Sequence, residues 1–255
     1  MNLWLNGTLL KESEARIAPS DRGLLLGDGL FETMAAEAGT VPFLDRHFAR
    51  LCHGASVLRL PVRFTLNDLA SAVHDLLAAN SLSSAAVRLT LTRGSGPRGL
   101  LPAEQSSPTM MLTASALLVA NDPVRLITSS MRRDASSVLS QIKSLNYLPS
   151  VLARLEASEA GADDALLLNH AGRLAEASAS NVFVRLKGRW VTPPVTEGAL
   201  PGIRRALLLE AGRVQEACVS VEDLREAEAL CLGNALTLRT VASLDGRMLP
   251  ELLLP

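Results

Sequence analysis

Both halves of this 255-residue chain mix strand-like and helix-like hydrophobic patterns, and one turn-rich tetrapeptide, Ala120-Asn121-Asp122-Pro123, stands between them. A period of two buries one face of a sheet, whereas apolar residues at i, i+3, i+4 and i+7 bury one face of a helix. A chain that carries both patterns in each half is expected to fold as α+β, and its length allows two domains with separate cores. The expected division is an N-terminal α+β domain over 1–119, a linker over 120–123 and a second domain over 124–255.

Local signals place the elements. Leu3 to Leu10 reads as a hairpin about Asn6-Gly7, and Thr33 to Ala38 reads as a strand with a turn at Gly39. Asp45 is expected to cap a helix from Arg46 to Leu60, and Thr65 or Asn67 opens another. Strands are expected at Ala86 to Thr92, Thr109 to Leu118 and Val124 to Thr128, the last followed by an irregular Ser/Arg segment. A helix is expected over Leu145 to Ala160, with Leu148, Val151, Leu152 and Leu155 turned inward. Lys187-Gly188 joins two strands, Asn181 to Leu186 and Arg189 to Thr192. A helix begins near Pro201-Gly202-Ile203 and stops before Gly212. Ser220-x-x-Asp223 has the spacing of a capping box.

Composition narrows the function classes. A net charge of −1 leaves no electrostatic footprint for nucleic acid or an anionic membrane. No apolar run approaches the roughly 20 residues that span a bilayer, and Met1 to Leu10 lacks the features of a signal peptide. A cytoplasmic location is expected. Cys52, Cys218 and Cys231 are too scattered for a disulfide framework or a metal site, so each is read as a small buried hydrophobe, and no metal is expected.

The cations are unevenly divided, with 25 basic residues of which only Lys11, Lys143 and Lys187 are lysine. A guanidinium stays charged, so arginine cannot replace lysine where a free amine is needed. Lys11 and Lys187 sit at turns, whereas Lys143 lies where an extended stretch meets a helix. Other stretches also exceed what packing requires. Gly198 to Arg204 is a turn entering a helix N-terminus, which suits a phosphate. Glu176 is a single acid among small residues, and Tyr147 is the only tyrosine. Arg22, Arg50 and Arg98 lie beside glycines or share a helix face with His47, positions where an arginine is usually solvated. An amine that forms an imine, an anion cradle and an acid for a pyridine nitrogen are together what pyridoxal phosphate needs.

The order of these motifs resembles the class IV (fold type IV) pyridoxal-phosphate enzymes, which include branched-chain aminotransferases, D-amino-acid transaminases and 4-amino-4-deoxychorismate lyases. The matching stretches are Asp21-Arg22-Gly23, Gly27 to Thr33, His47 to Leu51, Arg93 to Gly99, Ile142 to Tyr147, Glu176 to Phe183, Leu200 to Arg204 and Gly233-Asn234-Ala235. They run through nearly the whole chain.

The resemblance implies two α/β domains with pyridoxal 5'-phosphate between them, a small-molecule amine as substrate, and a homodimer. It implies Lys143 as the Schiff-base lysine and catalytic acid/base, with Thr33 beside the cofactor as an aid to proton transfer. Glu176 would face the pyridine nitrogen. Arg50, Ile203, Arg204, Asn234 and Ala235 would hold the phosphate, and Tyr147 would meet the phenolic oxygen. Arg98, Phe31, Ser178 and Ala179 would face the substrate. Arg93-Gly94-Ser95-Gly96-Pro97-Arg98-Gly99 is similar to the corresponding loop of the lyases. The leading expectation is therefore elimination of pyruvate to give 4-aminobenzoate for folate biosynthesis. Leu100 departs from both the lyase and the D-amino-acid transaminase patterns, and Lys143-Ser144-Leu145-Asn146 also occurs in D-amino-acid transaminases, so transamination of D- or branched-chain amino acids stays open.

Overall fold

The computed structural model describes residues 1–118 and 122–254, which fall into two units. The first comprises 1–118 and 142–146, and the second 122–141 and 147–254. Ala120 and Asn121 of the expected linker lie outside the described residues. The five residues 142–146, expected with the second half, cluster with the first unit.

The first unit is built on an antiparallel sheet of β1 (Asn2–Leu5), β2 (Thr8–Lys11), β3 (Gly29–Ala36), β4 (Ala85–Thr92) and β5 (Thr109–Ala116), in the order β2-β1-β5-β4-β3. Asn6 and Gly7 both take positive φ, as the two-residue turn joining β1 to β2 demands. A short helix, α1 (Arg22–Leu26), precedes β3, and two longer ones, α2 (Leu44–Leu58) and α3 (Leu66–Ala79), separate β3 from β4. Leu30 and Met34 of β3 join Leu51, Leu69, Leu76 and Leu89 in one core. Thr65, and not Asn67, caps α3, through a reciprocal capping box with Asp68. Asp45 lies inside α2, which is entered through Phe43 in a left-handed conformation.

The second unit holds β6 (Val124–Arg133), α4 (Leu148–Glu159), β7 (Asp164–Asn169), β8 (Leu174–Ala177), β9 (Asn181–Leu186), β10 (Arg189–Thr192), α5 (Ile203–Glu210), β11 (Gln215–Glu216), α6 (Val221–Glu226), β12 (Ala229–Gly233), β13 (Leu238–Leu244) and β14 (Arg247–Met248). Its mixed sheet runs β11-β10-β9-β12-β13-β6-β7-β8, with β14 paired to β13. Parallel β6 and β7 flank α4, the arrangement of a crossover unit. The Ser/Arg segment after Thr128 is not irregular. It continues β6 through a bulge between Thr128 and Arg132. The capping box at Ser220 and Asp223 and the turn at Lys187-Gly188 form as expected.

Helix α4 departs most from the sequence reading. It starts at Leu148 because Lys143 to Leu145 are extended: Phe31 N–H donates to the Lys143 carbonyl at 2.9 Å, and Leu145 N–H to the Gly29 carbonyl at 3.0 Å. Pro149, with no N–H to offer, then suits the first helical turn. The buried side of α4 is also the opposite of that expected. Ser150, Ala153 and Ala157 face inward, Ala153 and Ala157 against Ala165 and Leu167, while Leu148, Val151, Leu152 and Leu155 are exposed. Small residues let the helix lie close on the β6/β7 surface, and the larger stripe points away. Cys231 is buried, its thiol pushed up to about 11 by desolvation, whereas Cys218, expected to be buried, is exposed.

Ala157 has no accessible surface, so Ala157→Leu is expected to overpack this contact and destabilise the protein by about 1–3 kcal/mol, read as a lower urea midpoint.

Candidate active site

The alternation of β3 sorts its residues into two groups. Leu30, Glu32 and Met34 face α2, and Phe31 and Thr33 face the other side of the sheet. Glu32 is thus a carboxylate in an apolar layer, and α2 answers it with two residues three apart. Arg50 donates Nε to Glu32 Oε1 at 2.8 Å and Nη2 to Oε2 at 2.6 Å, while His47 Nδ1 meets Oε2 at 2.7 Å. Burial pushes the Glu32 carboxyl up, but hydrogen bonds and charge from His47 and Arg50 outweigh it and hold the group below its ordinary value.

On the other face, the Phe31 ring carries the Lys143 ammonium 4.2 Å from its centroid and the Arg88 guanidinium carbon at 4.0 Å. The extended pairing that delays the start of α4 to Leu148 brings Lys143 to this ring. Thr33, half-buried, stands in register with Arg88. Arg88 was not singled out in the sequence. Its position directly across from Thr33 follows only from the strand register.

A second, half-buried acid organises the glycine-rich stretches. Asp28 Oδ2 accepts from Arg22 Nε at 2.9 Å and from Arg93 Nε at 2.8 Å. Burial raises the Asp28 carboxyl, and its bonds to Arg93 and Arg22 lower it further than burial raises it. Arg22 also donates to the carbonyls of Gly99 and Leu100, and Arg93 to those of Leu58 and Arg59. Arg22 is therefore buried, not the solvated residue expected from its neighbours. Gly94 takes φ +79° and a Cβ there would lie 1.9 Å from the Ser107 carbonyl, so glycine is required. Arg98 lies exposed on the loop that Arg22 fastens.

In the second unit, Glu176 lies on buried β8. Its Oε1 pairs with Arg133 Nη2 at 3.0 Å and its Oε2 accepts from the Leu200 amide at 2.9 Å. Leu200 leads into α5, whose cap residue is Gly202. A Cβ at Gly202 would meet Asn181 Oδ1 at 2.1 Å, so only glycine lets the chain pass there. Arg204 Nε donates to the Asn234 carbonyl at 2.6 Å, and Asn234 Nδ2 to the Ala179 carbonyl at 3.3 Å. These bonds gather Ile203, Arg204, Asn234, Ala235 and Ala179. The Asn234 side-chain oxygen is engaged by the amides of Leu236 and Thr237. Ser178 donates its hydroxyl to Asp164, so its proton is committed inside the protein. Tyr147, half-buried, is the residue from which α4 starts.

Known proteins share this architecture. The chain is 36% identical over 258 residues to a putative branched-chain-amino-acid aminotransferase of Methanocaldococcus jannaschii, covering 98% of this chain and 90% of that protein. The branched-chain aminotransferase structure of Escherichia coli superposes with a TM-score of 0.93 at 26% identity, covering 98% of this chain and 88% of that one. The 4-amino-4-deoxychorismate lyase of Pseudomonas aeruginosa superposes at 0.85 with 32% identity, covering 98% and 93%. A model of the amino-transferase class IV family matches residues 29–244, and the chain belongs to that family. Its members use pyridoxal 5'-phosphate.

The residues of this chain fit that group. A buried carboxylate gripped at both oxygens suits a protonated ring nitrogen. The N-terminus of α5, capped by a residue without a side chain and joined to the turn at Asn234, offers amide donors to a phosphate.

Glu32 ionises below its ordinary pKa of 4.5, so its stabilising effect is complete above that value and disappears as pH falls through the lowered one. Glu32→Gln is expected to cost about 3–5 kcal/mol at neutral pH, because Arg50 loses its buried counter-charge. The variant should also lose less stability on acidification than the wild type, as measured by urea unfolding across pH.

Proposed function

We propose that the protein is a pyridoxal-phosphate-dependent 4-amino-4-deoxychorismate lyase, releasing pyruvate and forming 4-aminobenzoate. The observation that carries this reading is the loop Arg93 to Gly99, which has the lyase wording and is fastened through its Gly99 carbonyl to buried Arg22 while Arg98 stays exposed for a substrate carboxylate. The 32% identity to the Pseudomonas aeruginosa lyase supports it.

Bound cofactor supplies an electron sink for the carbon that bears the substrate amine. Lys143 would hold that group through its amine and, when free, would take the proton from the substrate carbon. The apolar ring of Phe31 beneath the lysine excludes water on that side. Glu176 holds the proton on the ring nitrogen. Arg50, the amides of Ile203 and Arg204, and the turn at Asn234-Ala235 retain the phosphate, and Tyr147 meets the phenolic oxygen. Thr33 assists proton transfer. Pyruvate would leave from the neighbouring carbon of the substrate, whose own ring becomes aromatic in 4-aminobenzoate. The backbone at Ser178 and Ala179 borders the substrate.

A second reading, transamination of D- or branched-chain amino acids, is favoured by the 36% identity to the archaeal aminotransferase and by Lys143-Ser144-Leu145-Asn146. Purified protein with pyridoxal phosphate should release pyruvate and 4-aminobenzoate from aminodeoxychorismate. Amino transfer from D-alanine or a branched-chain amino acid to 2-oxoglutarate, with no such release, would establish the second reading. Lys143→Ala should abolish both turnover and the visible absorption band of the bound cofactor.

The working form is a homodimer in this reading. Leu148, Val151, Leu152 and Leu155 form an exposed stripe at i, i+3, i+4 and i+7, which a second copy of α4 complements. Leu152→Asp is expected to give a folded monomer in sedimentation equilibrium, and a monomeric wild type would remove the dimer from the reading.

A further inference from the structure

Arg133 has no part in the functional reading above, yet it is the side chain that grips Glu176. It stands at the end of β6, just past the bulge between Thr128 and Arg132. A bulge re-aims the strand that carries it. The guanidinium is fixed at three points: Nε donates to the Gly198 carbonyl at 3.2 Å, and Nη2 to the Ser140 carbonyl at 3.2 Å and to Glu176 Oε1 at 3.0 Å. The Leu200 amide takes the other carboxylate oxygen at 2.9 Å. Both oxygens of the Glu176 carboxylate are thus engaged, and only 8% of the residue is exposed.

We propose that Arg133 is a positioning residue which sets how strongly the cofactor withdraws electrons, by keeping the Glu176 carboxylate charged and oriented toward the ring nitrogen. The inference rests on the role given to Glu176 in the functional reading. A carboxylate and a ring nitrogen compete for one proton. A guanidinium and an amide bonded to the carboxylate make it the weaker base, so the proton stays on the nitrogen. Without the guanidinium the carboxylate becomes more basic, and the proton moves to it. The ring then withdraws electrons less well. Arginine suits this task because it cannot itself take part in the proton exchange.

The test uses the holoenzyme loaded with pyridoxal phosphate labelled with 15N in the ring. The 15N shift reads ring protonation directly, and the visible band reports that cofactor is bound. In the wild type at neutral pH the nitrogen should be protonated. In Arg133→Gln its shift should move toward the unprotonated value, and Arg133→Lys should restore it. A band-forming Arg133→Gln protein with an unchanged 15N shift overturns the proposal, even if its thermal midpoint falls, since Arg133 would then be a structural staple alone. Where Arg133→Gln does not fold, Glu176→Gln decides: a nitrogen that stays protonated there overturns the proposal, and loss of its proton supports it. A wild type that forms no visible band with the cofactor removes the functional reading itself, which separates the two failures.

Discussion

A carboxylate removed from water must be neutralised by a partner or lose its charge, and this requirement shapes both units. Asp28, Glu32 and Glu176 are each set within the protein and each is bonded to at least one arginine. The arginines reach further than their acids. Through Arg22 and Arg93, Asp28 ties the start of β3 to the 99–100 loop and to the end of α2. Glu32 ties β3 to the middle of α2. Arg133 ties β8 to the turns at Ser140 and Gly198. The loops that carry the candidate chemistry are therefore fixed to the sheets by ionic contacts, where side-chain packing alone would leave irregular chain free to move.

Features set by neighbours in sequence were legible without a structure. The turns at Asn6-Gly7 and Lys187-Gly188 and the capping box at Ser220 depend on backbone torsion and on reach over three residues. What escaped depends on register between distant strands. The parity that turns Glu32 toward α2 and Phe31 away from it is visible in β3 only once its edges are known. The meeting of Phe31 with Lys143 requires residues over a hundred positions apart to pair. Nothing local in the sequence shows that Asp28 and two loop carbonyls await Arg22.

Helix α4 shows the same limit in its packing. Its leucine and valine stripe was expected inside because large apolar residues usually are, but that rule runs in one direction only. The flat β6/β7 surface accepts a helix at close range only through Ala153, Ala157 and Ser150, which leaves the bulkier stripe outward. The inward face of such a helix is chosen by the space available and not by the most hydrophobic positions.

The scarcity of lysine acquires a physical meaning in this setting. Arginine neutralises an acid without ever becoming a proton acceptor, so Arg22, Arg50, Arg93 and Arg133 can each hold a carboxylate within their own unit without competing for its proton. Lys11 and Lys187 are exposed, which leaves Lys143, half-buried over an aromatic ring, as the amine whose charge its surroundings can change. Cation–π contact with Phe31 favours the charged ammonium, and a covalent link to an aldehyde consumes that charge. Phe31 and the extended pairing of Lys143 with β3 therefore hold this side chain at one place on the sheet face.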